Sequence, residues 1–441
     1  MPHTDKSAGR VEAMSPLDSL PALSSRIRAG EITPAEIVER CLRRIDECEG
    51  SIQAWAYLAR EGARREAALL SGELKTKGPR GPLHGIPFGV KDIFDTEGTP
   101  TEWGSPLCRG RVPGEDAALV AQLRQAGAIV LGKTHTTAFA YYDRGPTRNP
   151  HNLAHTPGGS SSGSAAAVAA GMIPFALGSQ TQGSVLRPAS FCGIVGLKPT
   201  FGRLPLQGVL PFAPSLDHVG LFTRTVEDVI LLWKALGNDA VERPAELRLA
   251  FVPWPPDGGL EAEMSEAMNA CCERLRARGA KVTEVVPPQG FIALSQATRT
   301  VMKYEGARFH AERFREHGEK IGAALAALVK EGLSIAEEDY RRALRVLESC
   351  RREMASLSSE HPVWLTPAAL GPAPEGLAST GDPRCNLPFT ALGVPALTLP
   401  FARSEKGLPL GLQLTAPAGR EDLLLAAALA CERALSSPSS S

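Results

Sequence analysis

From Leu17 to Cys48 apolar residues recur at helical spacing, with a break at Ala29-Gly30 and a restart at Thr33-Pro34, where Thr33 suits a cap and Pro34 the first helical position. Between residues 83 and 236 the pattern changes. Short apolar runs alternate with Ala-rich helical stretches and most of the Gly signals, which predicts an α/β core. Predicted strands are Gly85–Val90, Ala128–Leu131 and Ile173–Leu177, and a predicted helix is Ala117–Ala126. A second α/β stretch follows, with strands Leu247–Val252 and Lys281–Val286 around a helix at Glu261–Gly279. Residues 290–356 then read as helical, charged and poor in Gly, an insertion or cap over the core where substrate selectivity could reside. Strand character returns at Val363–Thr366, Ala396–Leu399 and Leu410–Leu414, before a closing helix from Glu421. No repeat or long linker divides the chain. The expectation is a disordered tail over residues 1–14 and one large α/β domain over 15–441.

Composition narrows the class. Hydrophobic residues make up 43% and charged residues 22% of the 441, ordinary for a globular chain. Lys plus Arg equals Asp plus Glu at 48 each, so no basic excess points to nucleic acid. The longest weakly polar run, Ala165–Gly178, is too short to span a bilayer, and the N-terminus lacks the apolar core of a signal peptide. Nine scattered cysteines with no CxxC pair fit reduced thiols in a cytoplasmic protein.

The densest chemical signal is the Gly/Ser run in Thr156–Gly171, followed by a second polar loop, Gly178-Ser-Gln-Thr-Gln-Gly-Ser184. A flexible linker would not run straight into an Ala-rich helix and a strand. Gly159–Gly163 loosely matches the nucleophile elbow G-x-S-x-G, but that motif must follow a strand directly, and the preceding residues 148–157 are turn-rich with two prolines. Gly127–Thr134 matches the Walker A pattern letter by letter. Its intervening Ala-Ile-Val-Leu reads as a strand rather than a phosphate-cradling loop, so the match is coincidental. Lys91 stands at the end of a buried strand, where desolvation makes a lysine a usable base. Its ordinary reading is a salt bridge to Asp92 or Asp95. Lys198, before Pro199 in a predicted turn, is a rival base for which a solvated or structural role is expected.

Taken in order, Gly85–Asp92, Thr156–Gly171, Gly178–Pro188, Phe191–Thr200, Ser215–Gly220, Asn386–Pro400 and Leu408–Leu414 resemble the amidase signature family. The resemblance runs from about residue 17 to the end and is weakest between 240 and 360. It implies a large mixed β-sheet flanked by helices on both faces and a Ser–cis-Ser–Lys triad without metal or organic cofactor. Ser184 aligns with the nucleophile, Ser160 with the bridging serine held by a cis peptide bond, and Lys91 with the lysine that starts the proton relay. The backbone N–H groups of Thr181, Gln182, Gly183 and Ser184 align with the oxyanion hole. In such a relay Ser160 takes the Ser184 proton while giving its own to neutral Lys91, then reverses to protonate the departing amine.

Two departures matter. Gln180 and Gln182 stand where many members carry Asp and Gly, and Gln182 is a candidate substrate contact. Arg187 lies three residues after Ser184 rather than two, as in malonamidase-like members that act on small amides carrying a carboxylate. A guanidinium fork matches a carboxylate in two parallel bonds, and the ordinary alternative is an ion pair with Asp217. The expectation is therefore a cytoplasmic amidohydrolase cleaving a linear carboxamide C–N bond, with a small-molecule substrate and no nucleic-acid or membrane partner; a homodimer is compatible with this. Its rivals are the amidase subunit of a glutamine-dependent tRNA amidotransferase and a catalytically idle binding protein on the same fold.

Overall fold

The computed structural model describes residues 18–143, 145–238, 246–255, 258–287, 290–357 and 361–436. The expected tail over 1–14 lies outside the described residues. Among these, the apolar runs form eleven strands: β1 Trp55–Leu58, β2 Pro87–Lys91, β3 Ile129–Thr134, β4 Phe175–Gln180, β5 Val195–Lys198, β6 His218–Thr223, β7 Arg248–Phe251, β8 Lys281–Glu284, β9 Trp364–Pro367, β10 Ala396–Arg403 and β11 Pro409–Thr415. They join one mixed sheet in the order β1-β3-β2-β4-β6-β5-β10-β11-β9-β7-β8. Pairing is parallel in β3-β2-β4 and β9-β7-β8 and antiparallel elsewhere. Every position of β2, β3, β4, β5, β6 and β11 is buried, as it must be when helices cover both faces of a sheet.

Local chemistry sets the helix ends where the sequence signals them. Pro34–Ile52 starts with a capping box: Thr33 accepts from the Glu36 N–H, and the Glu36 carboxylate accepts from the Thr33 N–H. The helix Ser162–Ala169 has no apolar stripe because it has no exposed face, and residues 162–168 are all buried. Its Gly163 is forced by close approach. A Cβ there would stand 2.2 Å from the Ala54 carbonyl oxygen and 2.4 Å from the His135 nitrogen.

The Walker-like match falls inside the protein rather than on a phosphate loop. Gly132, Lys133 and Thr134 belong to β3, and Lys133 donates to the Phe94 carbonyl and to the Thr96 and Thr101 hydroxyls. Lys198 ends β5 and is fully buried, so the predicted turn and the solvated role are both wrong, and the structural role is the one its burial supports. Residues 290–357 form the helices Gly290–His317, Ala323–Ser334 and Glu337–Leu357. The last buries Ala343, Leu347, Cys350 and Met354 on one face and carries the pairs Arg341–Glu337, Arg342–Asp339 and Arg352–Glu348 outside. Its high charge is therefore a solvated face. None of the nine cysteines forms a disulfide, and no helix of the described residues is long and apolar enough to cross a membrane.

Candidate active site

Neighbouring parallel strands β2 and β4 end at the same edge of the sheet, so the residues at their carboxyl ends meet. Lys91 is the last residue of β2 and is fully buried. Its Nζ donates to Ser160 Oγ at 2.8 Å and to Ser179 Oγ, near the end of β4, also at 2.8 Å. Neither Asp92 nor Asp95 is its partner. Asp95 pairs with Arg111, and Asp92 accepts from the Glu102 and Gly104 N–H groups beside Lys133. Burial lowers the Lys91 pKa to about 7, with the Asp217 carboxylate pulling the other way. A neutral amine is thus within reach at ordinary pH.

The Gly159–Ser160 peptide is cis, and Gly158 beside it has a φ of 82°. Ser161, the next residue, has a different task. Its hydroxyl donates to the Ser179 carbonyl and accepts from the Ser179 N–H, fastening the Gly/Ser loop to β4. Ser184 and Ser160 line one cleft with Thr181, Gln182, Gly183 and Arg187. The cleft encloses about 360 Å³ of empty space, part of it open to solvent, and its lining also includes Tyr141, Tyr142, Phe212 and Met302.

The loop from Thr181 to Ser184 is tied down at three points. The Thr181 hydroxyl donates to Asp217 at 2.6 Å, and the Gln182 carbonyl accepts from Thr390 Oγ1 at 2.7 Å. Gln180 Oε1 accepts from the Val185 and Leu186 N–H groups at the start of the helix Leu186–Cys192, while its Nε2 donates to Thr390. A carboxylate at 180 could accept those two bonds but could not make the third. Gly183 admits no side chain, since a Cβ would stand 2.6 Å from Asn386 Oδ1.

Arg187 is 3% exposed and does not pair with Asp217. The Asp217 carboxylate instead accepts from Thr181 and from the Phe212 and Ala213 N–H groups, and burial pushes its pKa up to about 6. Arg187 Nη2 donates to the Gly159 carbonyl at 2.7 Å and to Thr380 Oγ1 at 3.1 Å. Its Nε and Nη1 are buried without a partner among the described residues. Buried donors of a cation are costly to leave unpaired, and this one lines the cleft beside the loop Thr181–Ser184.

Lys198 stands apart. It donates to the Pro199 and Val394 carbonyls and does not line the cleft. Sequence reasoning did not single out Ser179, Thr390 or Tyr142. Ser179 was within reach of it, being a hydroxyl in the same polar loop at the end of a strand parallel to that of Lys91. Thr390 lies 208 residues away from the Gln182 carbonyl it holds, and no local signal marks it.

The family model described as Amidase matches residues 36–425. The A subunit of glutamyl-tRNA(Gln) amidotransferase from Synechococcus sp. (strain CC9605) is 33% identical over 473 residues, covering 94% of this chain and 96% of that protein. A crystal structure of an amidase is 34% identical with a TM-score of 0.87, covering 95% of this chain and 100% of the other. A structure described as a vestigial protein complex revealing the origins of an s-triazine catabolic enzyme is 30% identical with a TM-score of 0.87, over 94% and 98% of the two chains.

Proposed function

The chain belongs to the amidase family, and from that premise we propose that it cleaves the C–N bond of a small carboxylate-bearing amide through an acyl-enzyme on Ser184. In this reading Ser160 and Lys91 carry the protons, and the N–H groups of residues 181–184 receive the oxyanion. The observation that carries it is the buried Lys91 amine, 2.8 Å from the Ser160 hydroxyl in a cleft that Ser160 shares with Ser184. A serine hydroxyl needs a positioned base, and a lysine held near neutrality by burial can act as one through an intervening hydroxyl. Arg187, with two unpartnered buried nitrogens at the cleft, supports an acid group on the substrate. Met302 brings the helical region 290–357 to the cleft, which supports a part for that region in selectivity. Cysteines without a disulfide fit a reducing, cytoplasmic setting.

The similarity to the A subunit of the tRNA amidotransferase favours a second reading. Here the amide is glutamine, itself a small carboxamide that carries a carboxylate, and the ammonia passes to a partner protein instead of leaving to solvent. Both readings use the same residues, and the curated relatives weigh toward the second. Ammonia release by the lone chain, over short half-amides, neutral diamides and glutamine, separates them, with size-exclusion to report a homodimer or a monomer. Rapid turnover of half-amides by the lone chain supports the self-sufficient hydrolase. Turnover of glutamine that appears only with a partner overturns it. In the self-sufficient case Arg187→Ala raises KM for the acidic half-amide about 10- to 100-fold and leaves the neutral diamide much less affected. Equal effects on both substrates would remove the acid group from the assignment.

A further inference from the structure

An end-on guanidinium fork needs one N–H from each terminal nitrogen, and a side-on fork pairs the Nε–H with the Nη2 beside it, so both need a free Nη2 hydrogen. In Arg187 both Nη2 hydrogens are taken, by the Gly159 carbonyl and the Thr380 hydroxyl. The two parallel bonds expected from the sequence are therefore not available, and Nη1 can hold only one oxygen of a carboxylate. The other oxygen needs a second donor in the same cleft, because an unpaired charged oxygen is costly away from water.

We propose that Gln182, oriented by Tyr142, is that second donor, so that the substrate's carboxylate is clamped between Arg187 Nη1 and Gln182 Nε2. This rests on the carboxylate reading of Arg187 and specifies how it works. Gln182 and Arg187 line the cleft together. Arg187 Nη1 lies against Gly183, the neighbour of Gln182, at 3.3 Å from where a Cβ of that glycine would stand. The Tyr142 hydroxyl donates to Gln182 Oε1 at 3.1 Å, which fixes the amide and leaves its NH2 group for the cleft.

Tyr142 is itself held in place. Its ring meets Tyr141 edge-on at 4.8 Å, Tyr141 stacks on Phe212 at 5.1 Å, and Phe212 abuts Gly306 of the helix Gly290–His317. Partial burial pushes the Tyr142 pKa up, so the hydroxyl stays a donor across the working range. A glycine at 182 would offer no such donor. The substrate class that fits is an acyl amide with its carboxylate a few bonds from the scissile carbonyl, small enough that the acid reaches residues flanking the nucleophile.

The test compares kcat and KM for the half-amide of a short dicarboxylic acid and for its neutral diamide. It uses the full chain as wild type, Arg187→Ala, Gln182→Glu, Gln182→Leu, Tyr142→Phe, the combination of Gln182→Leu with Tyr142→Phe, and Thr380→Val, with titration of the active serine to count folded enzyme. The wild type should prefer the acid. Gln182→Glu, which keeps the size and repels the anion, should lower the acid-to-neutral preference at least about tenfold. Tyr142→Phe should lower it about three- to tenfold through KM rather than kcat, and should add nothing once Gln182 is Leu. If the wild type prefers the acid and Arg187→Ala abolishes the preference while the Gln182 and Tyr142 variants keep it within about twofold, the clamp is wrong and the Arg187 reading stands. Loss of the preference in Thr380→Val alone would move the second donor to that hydroxyl. A wild type indifferent to the acid overturns both.

Discussion

Two lysines end strands of the same sheet, and they differ only in what they face. Lys91 closes β2 and Lys198 closes β5; both are fully buried, and burial lowers both to about 7. Lys91 meets two serine hydroxyls, one of which, Ser160, lines the cleft. Lys198 meets two backbone carbonyls. A hydroxyl can accept from an ammonium and donate to an amine, so it can pass a proton on. A carbonyl only accepts, so the Lys198 amine is bound but, among the described residues, has no hydrogen-bonded group that could pass its proton on. Depressed basicity alone does not identify a catalytic lysine; the proton path leading from it does.

The largest effect that would break this comparison is a pair of substitutions. Lys91→Met should reduce kcat at least about 1,000-fold, as expected when the base of a proton relay is lost, with an unfolding midpoint close to that of the wild type. Lys198→Met should leave the titrated enzyme within about tenfold in kcat but cost about 2–5 kcal/mol of stability, because two buried carbonyls lose their donor. Urea unfolding and ammonia-release kinetics on the same preparations read both quantities. Similar kcat losses at the two positions would show that partner chemistry does not separate base from scaffold here.

A smaller effect concerns the pH dependence of stability. Lys198 is lowered in the fold to about 7 from an ordinary value of 10.5, so between these values the unfolded chain carries the extra proton. Stability therefore rises with pH across that window at about 1.4 kcal/mol per unit for this residue, and the gain is absent below about 7, where both states are protonated. Lys198→Met removes the contribution, so its destabilisation relative to wild type should grow from about pH 7 to about pH 9. Unfolding midpoints of the two proteins at several pH values check this. A difference that is constant or shrinks with pH would mean that Lys198 stays charged in the fold. Activity should have the same sign for Lys91: with its neutral amine as the base of the proposed relay, kcat/KM is expected to climb with pH and level off above about 7.

Much of the strand and helix order was legible because the relevant signals are local. Thr33-Pro34 marks a helix start through its own cap, and Ala396–Leu399 and Leu410–Leu414 mark strands through leucines at alternate positions. The Gly/Ser loop and the Gly178–Ser184 loop were readable as one site through the resemblance to the amidase signature family, and Ser160 and Ser184 do line one cleft. What was not legible depends on distance in sequence. The turn predicted at Lys198 came from Pro199, a breaker on one side only; its strand is set by pairing with β10, where Lys198 faces Ala396. The Arg187–Asp217 pairing failed for a related reason. Opposite charges were matched by proximity in sequence, whereas the Asp217 carboxylate is used up by Thr181 and two backbone N–H groups that no charge pattern reveals.

The smallest expected effect sharpens the comparison most, because it isolates the second hydroxyl at Lys91. Ser179 Oγ accepts from Lys91 Nζ but does not line the cleft, so it touches the base without touching the substrate. A hydrogen bond accepted from an ammonium favours the charged form. Removing it in Ser179→Ala should therefore lower the Lys91 pKa and move the acidic limb of the kcat/KM profile to lower pH, by about half a unit. The plateau should fall about three- to tenfold, since the amine loses one of the two contacts that aim it at Ser160. Ser161→Ala is the control. Among the described residues that hydroxyl bonds only to the Ser179 backbone, so its loss can loosen the loop and lower the plateau but has no direct contact with Lys91 through which to shift the limb. The measurement is kcat/KM from about pH 5 to about pH 9 for both variants and the wild type. A limb displaced equally in both, or displaced upward in Ser179→Ala, would mean that the titration belongs to another group, and the distinction drawn between the two strand-end lysines would lose its chemical basis.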